Sequence, residues 1–412
     1  CNTPIAISIA VASIAAIAIK GDYSLMVVIQ KLFGGADSFH LMAVPLFMYA
    51  GLIMEKGGIS RRLIDLANAL VGWLPGGLAA VTVVSAMFFA GISGSAAADT
   101  AAVGALLIPA MKKSGYDSDF AGAVQAAGGS IGVIIPPSIP MIIFGYLTGA
   151  SIGRLFAAGI LPGLLIGLSL IAIATFLSRK YGYGAAVSFN WRQLLRNFVA
   201  AVPALGAPVI ILGGILGGVF TATESAAAAV FYSMIVGFFV YRELGVRDLN
   251  PIFIEGSIIA AIVMFIIATA SIFSWVAAID DIPARLAGSL LSLSESPVIL
   301  LLLINLVLLI AGTFVETTAA LILLVPMIMT LLPSLGIDPV HLGVIVVTNL
   351  AIGMLTPPMG ICLIVSASIS GGTISAISRK IIPFLLILLV DLLIITFYAP
   401  LSTWLPELLI GP

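Results

Sequence analysis

Charge is what this sequence has least of. Only 8% of its 412 residues are Asp, Glu, Lys or Arg, against roughly 25% in soluble domains. With 61% of residues hydrophobic and a mean hydropathy of +1.25, a soluble fold is excluded, and the chain reads as an all-α polytopic membrane protein. Cysteine and histidine are nearly missing too. Cys1, Cys362, His40 and His341 stand far apart, so neither a disulfide framework nor a metal-ligand spacing is present. There is no basic stripe either, which excludes a nucleic-acid surface.

The few charges are unevenly placed. If the first span runs outward from the cytoplasm, Lys56, Arg61, Arg62, Lys112, Lys113, Arg179, Lys180, Arg192, Arg196, Arg242, Arg247, Arg379 and Lys380 fall inside, and Lys20, Lys31, Arg154 and Arg285 fall outside. Thirteen against four is the positive-inside bias expected of this orientation, with the N-terminus cytoplasmic and the C-terminus outside. The first apolar run, Ile5 to Ile19, is shorter than a full span, and the chain is read as starting within a longer one.

Proline, by contrast, sits where a membrane helix should tolerate it least. Pro136 and Pro137 are adjacent inside GVIIPPSIPMIIFGYLTG, and the pair recurs at Pro357 and Pro358. Gly115 to Pro162 matches Gly336 to Pro383 at a constant offset of 221, with ten of 48 positions identical. Asp99 stands ten residues before Pro109, and Glu316 ten before Pro326. Two copies of one unit are therefore expected, over roughly residues 39 to 162 and 259 to 383. Three spans placed near 201–218, 223–241 and 255–276 would set the copies in opposite orientations, the pattern of secondary transporters. The polar linker before them carries Trp191, Leu194, Leu195 and Phe198 at helical spacing and is expected to form an interfacial helix.

Before each carboxylate the apolar run is too short to cross. Leu78 to Ala90 would extend about 20 Å against a hydrocarbon core of about 30 Å. A hairpin over 78–111 with its tip at GISGS is expected, and a second over 297–332 with its tip at Gly312 and Thr313. Each proline pair breaks the helix that follows, over 118–149 and 339–368. Broken backbone survives at membrane depth only inside protein or beside a cavity, where carbonyls can bind a cation and helix N-termini an anion.

Asp99 and Glu316 are intramembrane carboxylates, which point to function more often than to a buried structural hydrogen bond. Ser93, Gly94, Ser95 and Gly129 accompany the first; Gly312, Thr313, Thr317, Thr356 and Pro357 accompany the second. Oxygen-rich, sulfur-free sets of this kind suit Na⁺. Gln125, Ser130, Ser138, Thr348, Asn349 and Met359 surround the breaks and are expected to contact substrate. Glu224 is expected to close a capping box with Thr221, and Asp391 to serve as a hydrogen-bond partner within the bundle.

The segments GISGSAAADTAAVGALLIPAMKKSGYD, IIPPSIPM, TATESAAA, FVETTAALILLVP and GIDPVHLGVIVVTNLAIGMLTPPMG resemble, in order and spacing, the large membrane subunit of tripartite ATP-independent periplasmic (TRAP) transporters. The resemblance implies a bacterial inner-membrane importer of an organic acid, of the C4-dicarboxylate or sialic-acid class, driven by sodium. It implies a small four-helix membrane partner, a periplasmic binding protein that delivers substrate, and an elevator motion. It places Ser93 and Asp99 in a first sodium region, and Gly312 to Thr317 with Thr356 and Pro357 in a second. Residues 1–75 and 181–280 would then be scaffold, and 76–180 and 281–412 the two halves of a transport region. Glu316 departs from the family's usual Asp. Rival readings are a divalent-anion/sodium symporter working without a binding protein, a channel, and an intramembrane aspartyl protease using Asp99 and Glu316.

Overall fold

The structure, a computed structural model, describes residues 3–21, 23–184 and 188–411, so Cys1 lies outside it. Every regular element among the described residues is helical. The chain opens with α1 (Ile5–Lys20), α2 (Met26–Ala36) and α3 (Ala43–Lys56), followed by α4 (Ile59–Val71). A first hairpin, α5 (Gly77–Ser93) and α6 (Ala96–Lys113), leads to a helix in two halves, α7 (Ser118–Ser130) and α8 (Ile139–Thr148), and then to α9 (Ile152–Tyr181). Next come α10 (Trp191–Leu216), α11 (Ala222–Ile235), α12 (Val246–Ile279) and α13 (Ile282–Leu293). The second hairpin is α14 (Pro297–Phe314) and α15 (Thr317–Met329), and a short α16 (Leu332–Leu335) precedes the second broken helix, α17 (Pro339–Gly353) and α18 (Ile361–Ser370). The described chain closes with α19 (Ile374–Phe397) and α20 (Pro400–Ile410).

Among the described residues, six helices are long and apolar enough to cross a membrane: α9, α10, α11 with its π-helical extension to Val240, α12, α14 and α19. The pair α2 and α3, bent by 61° at residues 37–39, qualifies as a seventh. Helices α5, α8, α15, α17 and α18 are apolar but shorter, as required of half-spans.

The repeat is visible element by element. Asp117 and Asp338 both cap the helix that follows, accepting from the N–H of Asp119 at 2.8 Å and of Val340 at 2.6 Å. Gly149 and Gly371 end α8 and α18 in the left-handed conformation, at φ 75° and 74°. Those glycines are 222 apart, so the second break holds one extra residue and the pairing of Pro162 with Pro383 slips by one along α9 and α19. The three spans read near 201–218, 223–241 and 255–276 are α10, α11 with its extension to Val240, and α12. The expected interfacial helix is absent among the described residues. Instead Asn190 caps a continuous 26-residue α10, and Trp191 to Phe198 form its first turns.

Two contacts fix the relative direction of the repeats. Lys112, at the C-terminus of α6, donates to the carbonyl of Ser370 at the C-terminus of α18, at 2.8 Å. Arg154, at the start of α9, pairs with Asp338, the cap of α17, at 3.6 Å. Since α7 starts at the first of these ends and α17 at the other, the two broken helices are antiparallel and the repeats inverted. Both hairpins therefore enter from opposite faces and meet tip to tip.

Candidate functional site

At the first tip, α5 ends on Gly94, whose φ of 64° needs no Cβ to be tolerated. The turn folds Ser93 back over α6. Its hydroxyl donates to Asp99 Oδ1 and accepts from the Ser95 N–H at 3.1 Å, while Ser95 Oγ caps the Ala98 N–H at 3.5 Å. Asp99 is fully buried, and its second oxygen, Oδ2, has no hydrogen-bond partner among the described residues. That oxygen faces Gly132, where a Cβ would lie 2.3 Å from it. A carboxylate half-satisfied in an apolar interior costs on the order of a few kcal/mol unless a proton or a cation joins it.

The remaining polar groups around Asp99 hold it in place. Gln125 Nε2 donates to the carbonyls of Asp99 at 3.3 Å and Thr100 at 3.1 Å. Thr100 seats against Gly129, where a Cβ would meet its Oγ1 at 2.0 Å. The Ile139 N–H donates to the carbonyl of Gly94 at 3.3 Å, joining the tip to the first helix break. Both Pro136–Pro137 and Pro357–Pro358 are cis. The carbonyls of residues 134–137 and 355–358 receive no hydrogen bond among the described residues.

The second tip differs from its sequence expectation. Gly312 and Thr313 lie inside α14, and the turn is Val315 and Glu316. Glu316 is not within the returning helix but caps it. Its Oε2 accepts from the N–H of Thr318 at 2.9 Å and of Ala319 at 3.3 Å, and Oε1 from the Thr318 hydroxyl at 3.0 Å. Asp99, by contrast, stands a turn inside α6, because the first tip spends Gly94 and Ser95 on its own turn and cap. Counting back from the prolines thus matched two carboxylates of unlike geometry. Gly312 packs backbone to backbone on Gly353 at the end of α17, where a Cβ would fall 2.6 Å from the Gly312 carbonyl carbon. Thr313 and Thr356 donate to Ile310 O at 2.6 Å and Ile352 O at 2.9 Å, leaving oxygen lone pairs free, and the buried Thr317 Oγ1 has no partner among the described residues.

Between the tips lies a cavity of about 220 Å³, room for about seven waters at their liquid volume. Ala96 and Ala97 of α6, Ile139 and Pro140 of α8, Thr317 and Thr318 of α15, and Ile361 of α18 all line it, so four helices begin at one space. Among the described residues, no basic side chain lines it. The dipoles of those helices turn their positive ends to it, while the Thr318 and Ala319 N–H groups are bonded to Glu316 and the Ile139 N–H to the Gly94 carbonyl. Met354 from the second break and Ile259, Ile262, Val263 and Ile266 of α12 close the sides.

The residues expected to touch substrate do not line this cavity. Gln125 faces Asp99 and Thr100, as described. Ser130 donates to Ala127 O at 2.8 Å within α7, and Ser138 is the buried cap of α8. Thr348 and Asn349 are fully buried on α17, and Met359 is exposed at the outer surface of the second break. The cavity is lined instead by alanines, isoleucines and helix starts, which carry no polar side-chain pattern to read in sequence. Glu224 closes its capping box with Thr221, and Ser169 Oγ donates to Asp391 at 2.9 Å, both as expected.

Residues 1–401 match the family described as the DctM component of tripartite ATP-independent periplasmic transporters. The C4-dicarboxylate TRAP transporter large permease protein DctM of Pseudomonas aeruginosa is 41% identical over 92% of this chain and 88% of its own length. The sialic acid TRAP transporter large permease protein SiaM of Vibrio cholerae is 37% identical over 99% and 96%. The isethionate TRAP transporter permease protein DctMQ of Oleidesulfovibrio alaskensis is 43% identical over 97% of this chain, which spans only 63% of it. The YdaH transporter of Alcanivorax borkumensis shares the fold, with a TM-score of 0.62 at 15% identity over 92% of this chain and 90% of that one. These relatives are named as permeases of transporters, not as proteases. Inverted repeats, tips that meet across one cavity and these likenesses agree: the chain belongs to the TRAP transporters, as a DctM component.

Proposed function

We propose that this chain imports an organic acid across the bacterial inner membrane in symport with sodium, receiving it from a periplasmic binding protein and working with a small four-helix membrane subunit. The convergence of four helix N-termini on a cavity without basic side chains carries the reading. An organic carboxylate is bound there by backbone N–H groups and dipoles, which explains acid binding in the absence of arginine.

Sodium solves an electrostatic problem at the same place. Glu316 borders the cavity and Asp99 lies just behind its wall. Two like charges 4 Å apart at an effective dielectric of about 20 repel by about 4 kcal/mol, so the anion seats well only when cations occupy the carboxylate regions. Sodium binding at Ser93 and Asp99, and at Gly312, Thr313, Glu316, Thr317, Thr356 and Pro357, then prepares the cavity for substrate. That order of events is the coupling.

A crevice of about 320 Å³ shares Met48, Ser95, Ala97 and Ile259 with the cavity and runs past Asp99 to Glu55 and Glu255. It opens beside the end of α3 that carries Lys56, the cytoplasmic end under the positive-inside reading. In the elevator proposed here, the hairpins and broken helices move against α3, α10, α11 and α12, and this crevice is the release path on the cytoplasmic side. The test is uptake by proteoliposomes holding the chain, its small subunit and its binding protein, offered labelled succinate, sialic acid and isethionate. Uptake of one of them should vanish when external sodium is replaced by potassium at equal ionic strength. Unchanged uptake in potassium would remove sodium coupling, and no uptake of any acid would remove the substrate class.

A further inference from the structure

The second repeat contains a buried polar network that the reading above does not use. Asn305, in the middle of α14, and Asn349, near the end of α17, are 7% and 0% exposed. Asn349 Nδ2 donates to Asn305 Oδ1 at 2.8 Å and to the Asn305 carbonyl at 2.9 Å. Asn305 Nδ2 donates in turn to Thr396 Oγ1 of α19 at 3.0 Å, and Thr396 donates to Leu392 O at 2.7 Å. Amide groups are costly among apolar helices, so a chain of them joining three helices calls for a reason.

Position supplies one. Asn305 lies seven residues, two helical turns, before Gly312, and Asn349 four residues, one turn, before Gly353. Gly312 and Gly353 are the pair whose backbones touch where the second sodium region is built. The amide pair is thus a clamp that sets the depth at which α14 lies on α17. Accepting from Asn349 also preoccupies the Asn305 carbonyl, a main-chain acceptor inside α14, so the bond resists sliding along the helix as well as separation. The first repeat has no such pair: Phe88 and Gly128 stand at the matching offsets, and Gln125 instead ties α7 to the returning helix α6.

We propose that Asn305 and Asn349 are positioning residues for the second sodium region, holding the Gly312 backbone and Thr313 against Gly353 and Thr356 at the spacing a sodium ion needs. The proposal rests on the sodium reading of that region. Neither amide contacts the ion; both act through the helix spacing.

The experiment is ²²Na⁺ binding to the purified chain with its small subunit, with thermal unfolding measured on the same samples in potassium. Asn349→Ala removes both bonds to Asn305 and should raise the half-saturating sodium concentration of one of two binding components about 10-fold. Asn305→Ala keeps the carbonyl bond and should raise it about 3-fold, and it decides the matter if the first variant does not fold. Thr396→Val cuts only the outer link; it should lower the unfolding temperature and leave sodium affinity within twofold of the parent. Sodium affinity unchanged in both asparagine variants while the parent binds sodium would overturn the clamp and leave the sodium reading standing. A shift in Thr396→Val as large as in Asn349→Ala would reduce the network to general stability. No saturable sodium binding by the parent would overturn both.

Discussion

Asp99→Asn isolates the charge that the first sodium region depends on. The substitution keeps the shape of the side chain and an oxygen that can accept from the Ser93 hydroxyl. It removes the carboxylate whose Oδ2 lies unpaired against Gly132. A sodium ion within about 4 Å of that charge gains about 4 kcal/mol at an effective dielectric of 20, close to a thousandfold in affinity. Part of this is offset, because the parent also carries the cost of burying the charge and the amide oxygen remains a ligand. The expected net loss is therefore about 100-fold in sodium affinity at this region. Direct ²²Na⁺ titration reads it, and unfolding provides an independent check. Sodium at 100 times its dissociation constant stabilises a folded protein by about 2.7 kcal/mol, and Asp99→Asn should lose that increment for one site. In potassium the variant should be at least as stable as the parent, since no buried carboxylate is left uncompensated. Sodium affinity within threefold of the parent, or a marked loss of stability in potassium, would refute the reasoning and return Asp99 to a structural role.

Gly132→Ala and Gly353→Ala test the equivalent close approaches in the two repeats: the new Cβ would lie 2.3 Å from Asp99 Oδ2 or 2.6 Å from the Gly312 backbone, so uptake should fall more than about 10-fold in each, while Gly115→Ala, with nothing within 4 Å but φ at 83°, should cost only about 1 kcal/mol in unfolding measurements. Glu316→Asp should preserve the cap of α15 and most of the uptake, whereas Glu316→Ala should lose about 1 kcal/mol of stability together with sodium-dependent uptake. Arg62 pairs with Glu243 at 2.8 Å and lies 3.7 Å from the Tyr241 ring centre, so Arg62→Ala should cost on the order of 1 kcal/mol and leave half-saturating sodium unchanged.

Much of the fold could be read before any coordinate was known, for reasons tied to particular residues. Pro136, Pro137, Pro357 and Pro358 could only be helix breaks, because proline lacks the N–H and clashes with the preceding turn. The linker misled because Trp191, Leu194 and Phe198 have the same apolar spacing whether a helix lies on the membrane or enters it; the continuation through Leu216 decides between the two. The second tip misled because Gly312 looks like a turn residue, whereas its lack of a Cβ serves the contact with Gly353, 41 residues away.

The sequence by itself determined the membrane class, the twofold repeat and the two helix breaks, because each follows from composition, spacing or local backbone chemistry. Only the tertiary structure decided that Glu316 caps α15, that Asp99 turns to Gly132 an oxygen without a partner among the described residues, and that Asn349 bonds to Asn305. It also decided that the cavity is lined by helix starts rather than by the polar side chains near the breaks. These are meetings between segments whose separation along the chain carries no periodic signal. Which oxygen is left over for an ion depends on which neighbours have already taken the rest.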